Sequence, residues 1–65
     1  MKTGFMIKAT KNNETFYLED IDMINFVKDK EEAYVFDDAN QTLSFLNELK
    51  QTYPNDKFNI VVMFN

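Results

Sequence analysis

Carboxylates are the only side chains in this 65-residue chain that occur in numbers able to do acid–base, metal or electrostatic work: 11 Asp and Glu against 7 Lys, with no histidine and no cysteine. Losing those two residue types removes the imidazole base, the thiolate nucleophile and the commonest transition-metal ligands. Ser44 is the one serine, and it falls among Asn40, Asn47 and Gln51 on the polar side of a helical segment. That is the setting of a solvated serine, not of a nucleophile held beside a base. Asp20, Asp22 and Glu31 take the first, third and twelfth places of a calcium loop, but Ile24 occupies a ligand place and Asn25 stands where the sharp turn needs glycine. The pairs Glu31-Glu32 and Asp37-Asp38 are neighbours in sequence, and neighbouring side chains in extended chain point apart. A single glycine, Gly4, leaves no glycine-rich phosphate cradle. The expectation is therefore a protein that is not an enzyme, with no metal site and no cofactor.

The carboxylates are unevenly placed. Residues 14 to 38 hold nine acids against Lys28 and Lys30, a net 2 − 9 = −7, within a chain whose formal net charge is −4. A segment of that sign repels nucleic acid, which is bound by lysines and arginines that displace counterions. Arginine, the side chain best suited to bidentate phosphate and base contacts, is missing. Direct nucleic-acid binding is not expected. The same field can steer a partner of opposite sign, or it can serve solubility alone. Glu19, Asp20, Asp22, Glu31 and Glu32 are the candidate partner-binding acids, and the carboxylates spread through Glu14, Glu19, Asp20, Asp22, Asp29 and Glu31 could imitate a phosphate backbone and occupy a basic nucleic-acid channel.

The elements that would position these groups follow from periodicity. Phe5 to Thr10 puts Phe5, Ile7 and Ala9 on one side of a strand. Lys11-Asn12-Asn13-Glu14 reads as a turn, and Thr15 to Leu18 resumes as a strand to close a hairpin. Glu19 to Lys30 fits neither period and reads as a packed connection with a short extended piece at Asn25 to Val27. Ala33 to Phe36 reads as a third strand. Asp38 is a helix N-cap with Gln41 placed for a capping box, and Ala39, Leu43, Leu46, Leu49 and Tyr53 form an apolar stripe with Phe45 on its edge. Pro54 ends that helix. Lys57 to Phe64 is the last strand. The predicted fold class is α+β in a single domain: a three- to four-stranded, mainly antiparallel sheet with one helix on one face, in the order β-β-(β)-α-β.

A sheet with one helix leaves a face open. Ile60 to Phe64 is apolar on both sides, so Val61 and Met63, together with Met6 and Tyr17, would form an apolar patch opposite the helix. Tyr17, Val61 and Met63 are the candidate self-association residues, unless the connection from Glu19 to Lys30 folds over them. No run of about 18 apolar residues exists to cross a membrane, and Lys8 interrupts the N-terminal apolar run too early for a signal peptide. With no cysteine, the expected compartment is the cytoplasm.

The succession Ile7-Lys8-Ala9, Phe16-Tyr17-Leu18, Phe26-Val27-Lys28-Asp29 and Ala33-Tyr34-Val35-Phe36, closed by Leu49-Lys50 and Tyr53-Pro54, resembles small proteins encoded by phages and prophages of AT-rich Gram-positive bacteria. Eight asparagines, seven lysines and no arginine suit such a genome. The resemblance implies a host-takeover or anti-defence factor, anti-CRISPR-like in its acidic surface, acting in the host cytoplasm. It brings no catalytic motif. The expected function is binding and inhibition of a host protein with a basic surface; the rival expectation is a homodimeric structural or regulatory module that uses its open sheet face.

Overall fold

Asn12 and Asn13 set the first hairpin. Both adopt positive φ, 53° and 65°, the two central positions of a type I′ turn whose twist matches that of the flanking strands. Asparagine reaches this region more readily than most residues because its short amide bonds locally. The turn joins β1 (Thr3–Lys11) to β2 (Glu14–Asp20), with Lys11 opposite Glu14 and Ala9 opposite Phe16. The computed structural model describes residues 3–64. In it, β3 (Asn25–Val27), a 3₁₀ turn (Lys30–Glu32), α1 (Ala39–Thr52) and β4 (Lys57–Phe64) follow in order. The sheet is antiparallel throughout, ordered β3-β2-β1-β4. The fold is α+β.

One reading of the middle segment changes. The third strand is Asn25–Val27, the short extended piece, and not Ala33 to Phe36. The latter makes a single bridge: Phe36 exchanges both backbone hydrogen bonds with Phe5, at 2.8 and 2.9 Å, while the Tyr34 N–H donates to the Leu18 carbonyl at 2.7 Å. This segment ties β1 to β2 beyond the point, Lys8 opposite Tyr17, where their direct pairing stops. Gly4 makes room for it, since a Cβ there would meet Val35 Cγ1 at 2.7 Å.

The core lies between the sheet and α1. Ile7, Ala9, Leu18, Phe36, Leu46, Leu49 and Phe58 are buried, and the aromatic side chains knit them together. Phe36 meets Tyr34 edge-on at 4.8 Å and Phe45 at 5.9 Å. Phe58 lies 6.1 Å from Phe26 and 6.4 Å from Tyr53. Asp38 caps α1 as expected, accepting from the N–H groups of Asn40 at 2.8 Å and Gln41 at 3.3 Å. The helix is rotated from the predicted stripe. Thr42, fully buried, joins Leu46 and Leu49 on the inner face with Phe45 half-buried beside them, while Leu43 and Ala39 are exposed. Threonine is tolerated there because its hydroxyl donates to the Asp38 carbonyl at 2.7 Å, so no polar atom is left unsatisfied.

Candidate functional site

A helix is about 10 Å across and strands lie about 4.8 Å apart, so one helix covers about two strands. α1 packs chiefly on β4 and β1. On β2 Leu18 is fully buried, but Phe16 beside it and Phe26 of β3, on the same face, have only partial cover and are half-buried. The gap is an apolar groove of about 270 Å³, walled by Phe16, Ile24, Phe26, Tyr53 and Phe58, with Lys11 and Asp56 at its rim. It shares Ile24 and Tyr53 with a wider, shallower cleft of about 680 Å³ bordered by Asp20, Asp22, Met23 and Asn25. Met23 is 79% exposed and Ile24 43%. The segment read as a packed connection thus turns two of its apolar side chains outward.

That outward turn has a local cause. Asp20 Oδ1 accepts from the N–H of Asp22 at 2.9 Å and lies 3.5 Å from that of Met23. β2 slips register between Leu18 and Asp20 where it pairs with β3, and Glu19 accepts from the Asn25 side-chain amide at 2.9 Å. These bonds hold the β2–β3 turn in a shape that presents Met23 and Ile24 beside the carboxylates. Ile21 instead packs against the core.

The five candidate acids therefore separate by role. Glu19 and Asp20 are engaged in shaping the turn. Asp22 is exposed on it. Glu31 and Glu32 are exposed on the 3₁₀ turn, whose first N–H groups are capped by Asp29: its carboxylate accepts from the Glu31 N–H at 2.9 Å. Among the described residues, no three carboxylates converge into a group able to hold a metal ion. Glu14 meets Lys28 at 3.6 Å, an exposed pair of little energetic weight. Lys28 also reaches over the Phe16 ring, 5.8 Å from its centroid.

On the other face of the sheet, Tyr17, Val61 and Met63 are half-buried, and Met6, expected in the same open patch, is 1% exposed. Met6 stands opposite Val61, and Met63 lies over Gly4 together with Val35. The patch is smaller than the sequence suggested. Ser44, Asn40, Asn47 and Gln51 are all exposed along the outer helix. No helix among the described residues is long and apolar enough to cross a membrane.

No family model, curated protein or solved structure matches the chain. The functional reading rests on the chain's own residues. The sequence did carry a signal for the groove: Ile21, Met23 and Ile24 sit between acids with no period that could bury them all on one side. What periodicity lacked was the width of the helix relative to the sheet.

Proposed function

We propose that this chain is a non-enzymatic accessory protein that binds and inhibits a host protein bearing a basic surface. It would act as a host-takeover or anti-defence factor of the kind that the resemblance to phage-encoded proteins implies. The observation that carries the reading is the exposed apolar pair Met23 and Ile24 set beside Asp20 and Asp22 and opening into the groove at Phe16, Phe26 and Tyr53. Protein interfaces combine this kind of apolar, aromatic anchor with a polar rim. Burying one such side chain contributes about 1.5–3 kcal/mol. Asp22, Glu31 and Glu32 add a field that accelerates encounter with a basic partner and falls off within about 8 Å at physiological salt. A nuclease or other nucleic-acid enzyme has a basic channel of complementary sign, and occupying it would exclude the natural substrate.

The test starts with a tagged chain and a host lysate, and continues with the purified partner. Met23→Ser/Ile24→Ser should weaken binding at all salt concentrations by raising the dissociation rate. Asp22→Asn/Glu31→Gln/Glu32→Gln should leave the circular dichroism unchanged, lower the association rate and flatten its salt dependence. If the partner binds both variants as tightly and as fast as the parent chain, this surface is not the binding site.

A further inference from the structure

The two edges of the sheet are built differently. β3 is three residues long, its neighbour slips register beside it, and Asp20, Asp22 and Asp29 flank it. Shortness, irregularity and charge are the devices by which an edge strand avoids pairing with another chain. β4 has none of them. It runs for eight residues in unbroken register with β1, contains no proline and carries no charge after Lys57.

The direction of its backbone groups follows from Phe5. Both the N–H and the carbonyl of Phe5 are engaged by Phe36, on the side away from β4. Phe5 and Val62 are therefore a non-hydrogen-bonded pair, and the groups of Val62 point out of the sheet. Alternation extends this to Phe58, Ile60 and Phe64. Among the described residues, no hydrogen bond outside the β1–β4 ladder engages these four.

Apolar exposure collects at the same edge. Val62 is 47% exposed and Phe64 68%. Leu43, 49% exposed, lies about 200° around the helix from Phe45. Phe45 packs on Phe36, on the β2 side of β1, so Leu43 turns toward β4. Lys50, on the same helix flank, borders a depression with Lys57, Phe58 and Asn59, which fixes the same direction independently.

We propose that β4 pairs antiparallel with β4 of a second copy, about a two-fold axis at Val61, to make one continuous sheet from the two four-stranded halves. In this register Phe58 faces Phe64 of the second copy and Ile60 faces Val62, so every outward-pointing residue meets another. Four such pairs form, each exchanging two hydrogen bonds. Registers centred on Ile60 or Val62 leave Phe64 or Phe58 unpaired. The aromatic pairs cover the most exposed part of the edge, and the axis brings the two α1 helices side by side with Leu43 between them. Charge does not oppose the arrangement. Seven of the nine acids between residues 14 and 38 lie on β2, on the β2–β3 turn or at the 3₁₀ turn, Asp37 and Asp38 standing at the start of α1, and β2 and its copy are five strand spacings apart, about 24 Å, well beyond the screening length of about 8 Å. The dimer leaves the groove at Phe16 and Phe26 open at both ends of the sheet, which makes the assembly bivalent.

Because the chain has no cysteine, single substitutions report the register directly. Val61→Cys should oxidise to a covalent dimer, since residues opposite each other in a non-hydrogen-bonded pair have Cβ atoms about 4.5–5.5 Å apart. Asn59→Cys should not, being displaced from its copy by about 13 Å along the strands. In sedimentation equilibrium the parent chain should show twice the 7.7 kDa chain mass. Val62→Pro, which removes an outward N–H and leaves the ladder to β1 intact, should be monomeric with a native circular dichroism spectrum. If Val62→Pro does not fold, Val62→Lys serves in its place, a lysine on the edge having the same effect on pairing. A parent chain that is monomeric at millimolar concentration overturns the proposal. So does a folded Val62 variant that remains dimeric, or an Asn59→Cys chain that cross-links as readily as Val61→Cys.

Discussion

Substituting Gly4 by alanine tests how the middle of the chain is held in the sheet. Gly4 carries no positive φ, so alanine meets no backbone penalty there. The obstacle is Val35, whose Cγ1 would lie 2.7 Å from the new Cβ, far inside van der Waals contact. Val35 cannot easily yield. Its β-branched side chain is restricted at χ1, and its backbone is pinned between the Tyr34–Leu18 bond and the paired bonds of Phe36 to Phe5. Relief would have to come from moving β1 or breaking one of those bonds. Overpacking of this kind costs about 1–3 kcal/mol, which for a domain of this size lowers the melting temperature by roughly 4–24 °C. The assay is thermal and urea denaturation followed by far-ultraviolet circular dichroism, run on Gly4→Ala, Val35→Ala and the double variant. Val35 is 48% exposed, so Val35→Ala alone should cost less than about 1 kcal/mol. The double variant should match Val35→Ala, because removing Cγ1 removes the collision. A Gly4→Ala chain as stable as the parent, or a double variant no better than Gly4→Ala, would refute the idea that this contact locks the bridge between β1 and β2.

Leu46→Ala should cost roughly 2–5 kcal/mol, while Leu43→Ala should change stability by less than about 1 kcal/mol, since Leu46 is 6% exposed and Leu43 49%. The same denaturation curves decide it, and equal losses would mean that the inner helix face is misassigned. Asn13→Ala should destabilise by about 1–2 kcal/mol, because alanine at φ 65° brings its Cβ against the backbone, whereas Asn13→Gly should be neutral or slightly stabilising. Equal melting temperatures for the two would show that the hairpin does not depend on a type I′ turn.

Much of the architecture was legible from residue order. Alternation of Phe5, Ile7 and Ala9, and of Phe58, Ile60 and Val62, marks strands without reference to anything distant. Asp38 and Pro54 bound the helix through local chemistry, a carboxylate accepting from first-turn N–H groups and a ring that excludes the α region before it. The absence of histidine and cysteine, and the acid excess between residues 14 and 38, are properties of the chain itself. What the sequence could not decide were questions of which surfaces meet. Leu43 and Thr42 differ by 100° around the helix, and only docking against the sheet selects Thr42 for burial, its hydroxyl satisfied four residues back. Ala33 to Phe36 has the composition of a strand, yet it meets the sheet only through the Phe5–Phe36 bridge and the Tyr34 N–H bond to the Leu18 carbonyl, between β1 and β2 where their own pairing has ended. Met23 and Ile24 are apolar and belong to the segment that reads as a packed connection. They stand in solvent because the Asp20 carboxylate fixes the β2–β3 turn with those two side chains outward, at a place where α1, packed chiefly on β4 and β1, does not cover them. The groove at Phe16 and Phe26 follows from the width of the helix relative to the sheet, and the open edge of β4 from the strand order β3-β2-β1-β4; both exist only once the elements are packed.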